Sequence, residues 1–142
     1  MTTTLENPII TCELVPEARR ADFVDALFGI NFPMQLQPLI FSVASELSAD
    51  YGGGCWAFYA LSNGGFYMAP DSDAPFGVHC PNSYEGTLSA DALGITVCLY
   101  VFSRLSFIAD DRIAGVYARQ YHLLREYMMD HPEAAAILGA TD

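Results

Sequence analysis

The order of sequence patterns along this chain predicts an α+β fold, in which an antiparallel β-meander of three to four strands packs with N-terminal and C-terminal α-helices. Apolar residues recur at helical spacing on both sides of the centre, over about 16–50 and 89–138. Between them, 55–88 carry short apolar and aromatic runs separated by glycine, proline and asparagine. With 142 residues and 52% hydrophobic residues, the chain is expected to form one domain over 1–142, with 1–8 as a flexible leader.

The N-terminal part predicts a strand and a helix. Residues 9–14 favour a short edge strand. Pro16 is well placed as the first residue of a helix that runs to about Phe28, because its fixed φ suits that position and its missing N–H costs nothing there. Gly29 is expected to end this helix.

A second helix is predicted from Phe32 to about Asp50. Its regular part is expected to begin at or near Pro38, because proline is poorly tolerated inside a helix. The three consecutive glycines at 52–54 end it and free the backbone to enter a strand.

The next segment carries the chemistry of a β-hairpin. Asn63-Gly64 is the preferred pair for a two-residue type I′ turn, which would set Leu61 opposite Phe66 and Tyr59 opposite Met68. In that register both faces of the hairpin are apolar, so either the sheet is covered twice or one aromatic face binds a partner. The second face would consist of Trp56, Phe58, Ala60, Tyr67 and Ala69.

Two more strands and three helices complete the predicted order. After a loop at 71–75, strands are expected at 76–80 and 84–88. Ser89 is a good N-cap for a helix that runs to about Phe107. Its segment 95–102 could equally form a buried strand by propensity, but the length of the pattern and the cap favour the helix.

The last two helices follow from a cap and a proline. Asp110 or Asp111 is expected to cap a helix that ends near Met129. A short final helix is predicted from Pro132 to about Leu138.

Composition limits the partners that the chain can bind. There are 17 acidic and 6 basic residues, which gives a net charge of −11, and every base is arginine. A basic surface is needed to bind nucleic acid by charge, so no direct nucleic-acid binding is expected. No window holds 18 uncharged apolar residues, and the first residues lack the pattern of a secretory signal, so we expect a cytoplasmic monomer that does not span a membrane.

The acidic balance also raises the possibility of DNA mimicry. Duplex DNA as long as this domain is wide, about 35–40 Å, carries roughly 20 phosphates. Here 17 carboxylates are spread over the whole chain, and the longest acidic runs are pairs such as Asp110-Asp111. This charge density favours an ordinary acidic surface, and a DNA-mimic inhibitor is kept as an alternative.

No residue pattern predicts catalysis, a metal or a cofactor. The four cysteines are far apart in sequence, so a zinc site or disulfide framework is not expected, and the thiols are interpreted as inert. The three histidines belong to none of the known catalytic motifs. A small cysteine-dependent hydrolase stays as a further alternative. The residues concerned are Cys12, Cys55, Cys80, Cys98, His79, His122 and His131.

Two groups of residues are candidates for contact with another protein. The aromatic cluster around the hairpin is either core or, through Trp56, Phe58 and Tyr67, a protein-binding face, because aromatic anchors dominate interface energetics. Asp110 and Asp111 are the acidic candidates, whose neutralisation would weaken a DNA mimic.

Three segments resemble one family. They are 51–70 (YGGGCWAFYALSNGGFYMAP), 88–95 (LSADALGI), and 120–125 (QYHLLR) together with 131–137 (HPEAAAI). In order and spacing they are similar to the ArdB/KlcA antirestriction family over nearly the whole chain. The resemblance implies an α+β protein of a mobile element, usually a plasmid, that protects incoming DNA from host type I restriction–modification enzymes. It implies no catalytic residues.

The leading interpretation is therefore a non-enzymatic inhibitor that contacts a host type I restriction–modification enzyme or an associated host protein. The DNA-mimic inhibitor and the cysteine-dependent hydrolase are the alternatives.

Overall fold

The structure is a computed structural model that describes residues 9–142, so the leader predicted at 1–8 lies outside the described residues. A 3₁₀ turn precedes α1 and a π-helical turn precedes α2. The elements in chain order are β1 (Cys12–Leu14), the 3₁₀ turn (Glu17–Arg19), α1 (Arg20–Phe28), the π-helical turn (Phe32–Leu36), α2 (Gln37–Leu47), β2 (Trp56–Leu61), β3 (Phe66–Pro70), β4 (Phe76–His79), β5 (Glu85–Leu88), α3 (Ala90–Ile108), α4 (Asp111–Met128) and α5 (Ala134–Thr141).

The α+β class and the order of helices and strands are confirmed. Ser89 caps α3, since its hydroxyl accepts a hydrogen bond from the Ala92 N–H at 3.1 Å, and the segment 95–102 is helical rather than a strand. Asp110 caps α4 in the same way. The final helix begins at Ala134, two residues later than predicted.

The second helix begins irregularly, as Pro38 predicts. Proline has no N–H to donate, so it cannot help to hold the preceding turn in α-helical geometry. The Gln37 N–H instead bonds to the carbonyl of Phe32, five residues back, and the turn over Phe32–Leu36 is π-helical. Gly29 ends α1 with φ +60°, a conformation that glycine adopts without strain.

The predicted hairpin register is wrong by one residue. Phe58 lies opposite Met68 and Tyr59 opposite Tyr67, because the loop has three residues rather than two. Leu61 donates to the carbonyl of Gly65 and only Gly64 in the loop has positive φ, so the loop is not type I′. The shift moves Tyr67 to the face opposite Trp56 and Phe58.

The strands form two sheets rather than one meander. β1, β2 and β3 make one antiparallel sheet with β1 and β3 at its edges, and β4 pairs only with β5. The free edge of β3 is occupied by α3, whose Cys98 thiol reaches the Met68 carbonyl at 3.6 Å. A strand added at that edge would have to replace the helix, so β4 pairs elsewhere.

Both faces of the β2–β3 hairpin are covered. Phe28 and Phe32 pack on Phe66 and Phe58 from one side, with ring centroids 5.7–6.2 Å apart. On the other side, Tyr67 stacks on Tyr127 of α4 at 6.0 Å. The first of the two alternatives stated for this sheet, double coverage, is the one that the structure adopts.

Helix α3 is the centre of the core. Twelve of its nineteen residues are buried. It is long and apolar enough to cross a membrane, but 61% of its apolar window is buried inside the protein. The segments Glu17–Phe28 and Phe32–Leu47 are long and apolar enough to cross a membrane only if they are counted together as one span. The chain bends by 93° between them. A core helix that is surrounded on all sides needs the same hydropathy.

Replacing Gly94 by alanine is expected to destabilise the protein by at least about 2 kcal/mol. A Cβ at this position would lie 2.4 Å from the Met68 carbonyl oxygen and 2.5 Å from the Ala69 Cα, and this backbone cannot move aside cheaply. Urea unfolding of Gly94→Ala measures the loss.

Gly115→Ala is the matched control, because it is also inside a helix but has no neighbour within 4 Å of the added Cβ. It should gain up to about 1 kcal/mol from helix propensity. Equal stability of the two variants would contradict the close contact between α3 and β3.

Candidate functional site

The three aromatic candidates of the hairpin are buried. Trp56 is 5% exposed, Phe58 6% and Tyr67 1%. Trp56 and Phe58 share one face of the sheet and Tyr67 lies on the other, so the prediction that they form a common face is wrong. In this conformation their side chains fill the core and do not form a continuous protein-binding face.

Trp56 is fixed by polar and aromatic contacts. Its indole N–H donates to the Tyr51 hydroxyl at 3.0 Å, and its ring packs against Phe41 at 5.4 Å. A buried tryptophan needs such a partner for its N–H, and Tyr51 supplies it from the end of the loop before the glycines. Trp56 therefore anchors this loop to the sheet.

Phe58 differs from Trp56 and Tyr67, because one face of its ring is in contact with a positively charged side chain. The guanidinium of Arg20 lies 4.8 Å from the ring centroid. This arrangement is a cation–π contact, and it places a charged group of α1 above an aromatic residue of the sheet. Phe58 also contributes to the wall of an open cavity at this point.

Tyr67 belongs to a polar network that joins distant parts of the chain. Its hydroxyl donates to one carboxylate oxygen of Asp91 at 2.7 Å, and His131 Nε2 lies 2.8 Å from the other. The Cys12 thiol is 3.6 Å from the Tyr67 hydroxyl. Glu133, two residues after His131, accepts hydrogen bonds from the backbone N–H and the hydroxyl of Ser89 at the start of α3 through its carboxylate. The network ties β1, β3, the start of α3 and the turn between α4 and α5 together.

Hydrogen bonding fixes the tautomer of His131. Its Nδ1 accepts from the Glu133 N–H at 2.9 Å, so the proton of the neutral ring is assigned to Nε2, which donates to Asp91. Both ring nitrogens are engaged inside the protein, and the side chain is 8% exposed. This arrangement leaves no ring nitrogen to exchange a proton with a substrate, so the pair serves as a structural tie.

The pKa values in the network follow from burial and hydrogen bonding. Burial raises the pKa of the Asp91 carboxyl, but hydrogen bonds from His131 and Tyr67 outweigh it and leave the pKa below its ordinary value. Burial and the neighbouring Asp91 carboxylate raise the pKa of Tyr67 well above its usual range. Asp91 is therefore ionised and Tyr67 neutral at pH 7.

Three of the four thiols, those of Cys12, Cys80 and Cys98, are not set up as nucleophiles. Cys12 is on the exposed edge strand, but its thiol lies against Tyr67 and burial raises its pKa. Burial also raises the pKa of Cys98 to about 12 and that of Cys80 above its ordinary value. A catalytic thiol needs a lowered pKa or an adjacent base. Within residues 9–142, no group of three or more His, Cys, Asp or Glu residues is placed to hold a metal ion.

Asp110 and Asp111 lie at the exposed corner between α3 and α4. Asp110 caps α4 by accepting from the Arg112 N–H at 3.5 Å, and Asp111 is in the first turn of that helix. At the end of α3, which is separated from Asp110 by one residue, Phe107 is 86% exposed and Ile108 68%. The corner therefore presents two apolar side chains beside two carboxylates. The helical pattern of the sequence could not reveal this exposure, because apolar residues dominate α3 and do not define a single buried face.

The protein is thus of the α+β class, with a central helix buried between an aromatic sheet and further helices. A family model described as "Antirestriction protein" matches residues 49–142. The chain belongs to the antirestriction protein family.

Similarity extends over the full length of known members. Two proteins named antirestriction protein KlcA from Escherichia coli are each 39% identical to this chain, one over 98% of it and 99% of the relative, the other over 97% of both. A solved structure is 41% identical over all of both chains, with a TM-score of 0.87. It comes from work on the KlcA and ArdB proteins, described as having a novel fold and antirestriction activity against type I DNA restriction systems in vivo but not in vitro.

Asp91→Asn is expected to lower the free energy of unfolding by about 1–2 kcal/mol at pH 7. Hydrogen bonds to a charged group are worth more than neutral ones, and the amide would set a donor against either His131 or Tyr67. The side chain of Asp91 is 40% exposed, which keeps the loss moderate.

The difference between the parent and Asp91→Asn should depend on pH. Because the folded pKa is lowered, the stability from ionised Asp91 is complete above the ordinary carboxyl pKa of about 3.9 and is lost as the pH falls through the lower folded value. Urea unfolding at pH 7, 5 and 3.5 measures it. Asp73→Asn in an exposed loop is the control. A difference that is the same at all three pH values would exclude this role of the carboxylate.

Proposed function

We propose that this protein protects incoming DNA from host type I restriction–modification systems in the cytoplasm of a bacterial recipient cell. It acts there as a monomer by contacting the restriction enzyme or an associated host protein, and it catalyses no reaction. Membership of the antirestriction family and similarity over the whole chain to KlcA proteins carry this proposal.

The behaviour of the solved relative supports the involvement of a further component of the host cell in this activity. Its antirestriction activity is described in vivo but not in vitro. An inhibitor that only occupied the DNA groove of the enzyme would be expected to act on the purified enzyme as well. The proposal therefore includes a host protein as one of the two possible contacts.

The geometry of the polar groups supports action without catalysis. Both ring nitrogens of His131 are engaged by protein groups, and burial raises the pKa of the Cys12 thiol. No conventional nucleophile–base pair is formed by these residues. This favours protein contact over the cysteine-dependent hydrolase.

Expression of the protein should raise the plating efficiency of unmodified phage on a host with a type I restriction system towards that on a restriction-deficient host. The same measurement on the deficient host controls for effects on phage growth. Adding pure protein to pure restriction enzyme then separates direct contact from contact through a host protein. Unchanged plating efficiency, with the protein present in soluble form, would contradict the proposal.

We propose that the exposed acidic corner at Asp110 and Asp111 contributes to this contact. Replacing both Asp110 and Asp111 by asparagine should reduce protection without unfolding the protein, because asparagine is also a good N-cap. Phage plating and thermal unfolding measure the two effects. The pair Asp71→Asn and Asp73→Asn removes the same charge from an exposed loop.

The comparison of these two double variants distinguishes local contact from DNA mimicry. Loss of protection only in the first variant supports a contact at the corner between α3 and α4. Equal loss in both would favour an inhibitor that acts through its overall acidic charge, whose effect should also weaken steeply with salt.

A further inference from the structure

We propose that the cavity between α1 and the π-helical turn is a docking site for a segment of a partner protein, which inserts one large apolar side chain together with an adjacent carboxylate. This inference rests on the proposed function, since it names a surface for the protein contact. The residues that line this cavity belong neither to the polar network around Asp91 nor to the acidic corner between α3 and α4.

The walls of the cavity are apolar. It has a volume of about 430 Å³ and lies between Val24, Phe32, Pro33 and Phe58. Ile30 stands at its rim and is 70% exposed. A cavity of this size, at the small end for ligand sites, suits an anchoring side chain rather than an extended cofactor. Apolar side chains seated in such pockets dominate the energy of protein interfaces.

Arg20 adds a specific polar requirement. Its guanidinium lies over the Phe58 ring, and its buried Nε has no hydrogen-bond partner among the described residues. A buried N–H donor without a partner is costly, and the cost is removed when an acceptor enters. A carboxylate matches the fork of the guanidinium and its charge better than any neutral acceptor.

The charges around the cavity select this occupant. Asp25 also lines the cavity, but the described residues contain no ion pair between it and Arg20. Asp25 is exposed and can stay hydrated, whereas Arg20 Nε is shielded from water. One arginine beside an acid does not form the basic surface that nucleic acid requires, which favours a protein carboxylate.

The local backbone is of a kind often found at sites of function. The π-helical turn Phe32–Leu36 supplies two walls of the cavity through Phe32 and Pro33, and π-helical turns are frequent at functional sites. Gly29 precedes it with positive φ, which places Ile30 outside the core.

The first experiment tests the chemistry of the cavity without a partner. The fluorescent apolar anion 8-anilinonaphthalene-1-sulfonate is titrated into the folded full-length protein. We expect one saturable site whose dissociation constant rises about tenfold in Arg20→Met, because the variant keeps the aliphatic stem but loses the charge-assisted hydrogen bond. Arg20→Lys should bind with intermediate affinity.

Arg119→Met is the matched control, since Arg119 is exposed on α4 and does not line the cavity. It should bind the probe as the parent does, and all variants should keep the parent's circular dichroism. The inference would be overturned if Arg20→Met bound the probe with the affinity of the parent, or if the parent did not bind the probe.

The second experiment identifies the occupant in cells that carry a type I restriction system. The variant that carries the photo-crosslinking residue p-benzoylphenylalanine in place of Ile30 is expressed in these cells. The cells are irradiated, and the crosslinked partner and its attachment site are identified by mass spectrometry. We expect a protein segment in which Asp or Glu adjoins a large apolar residue, with a yield that falls when Arg20→Met is added. Met129, which is exposed beyond the end of α4, is the control position.

The outcomes separate this inference from the proposed function. A crosslink to nucleic acid, a protein segment without a carboxylate, or no crosslink at position 30 overturns the docking site. If Ile30→Asp protects phage as well as the parent, the docking site fails and the proposed function stands. If the parent gives no protection but position 30 crosslinks in a manner that depends on Arg20, the proposed function fails and the docking site stands.

Discussion

The absence of a side chain at Gly94 lets α3 lie directly on the edge of β3, and most of the fold follows from this contact. The helix approaches so closely that its Cys98 thiol reaches the Met68 carbonyl. Because the helix covers the strand edge, the sheet ends at β3 and cannot pair with a further strand. The other side of α3 is then covered by α2, α4 and α5, which explains why twelve of its nineteen residues are buried and why most of the helix is apolar.

The segments that resemble the antirestriction family meet in space at one network. Tyr67 comes from the first segment, Asp91 from the second and His131 from the third, and they form consecutive hydrogen bonds. Such a network stabilises only when all members are present, because each buried polar group left without a partner costs free energy. Tyr67, Asp91 and His131 therefore have a structural role in this chain, and the residues that contact a partner must be sought on the surface.

The elements could be predicted from the sequence because their signals are local, whereas the register and the exposure of side chains could not. Ser89 and Asp110 mark helix starts by chemistry that needs no tertiary contact. Asn63, by contrast, accepts from the Gly65 N–H and donates to the Leu123 carbonyl of α4, so the three-residue loop is fixed partly by a helix 60 residues away. The single-residue shift that results decides which face Tyr67 occupies. The burial of Trp56 and Phe58 and the exposure of Phe107 likewise depend on contacts between residues that are distant in sequence, and local sequence patterns do not predict such contacts.

The strongly acidic composition and a cavity for an acidic segment are compatible, because they act over different distances. At physiological ionic strength, exposed charges are screened beyond about 8 Å, so most of the net charge of −11 is not felt at one site. A carboxylate that enters the cavity is instead in hydrogen-bond contact with Arg20, whose Nε is shielded from water and whose guanidinium lies against the Phe58 ring. Electrostatic interactions strengthen where water is excluded, so this single cation can dominate locally. The acidic surface is therefore compatible with the docking site proposed for a short acidic segment of a partner, because the Nε–H of Arg20 in that site is shielded from water.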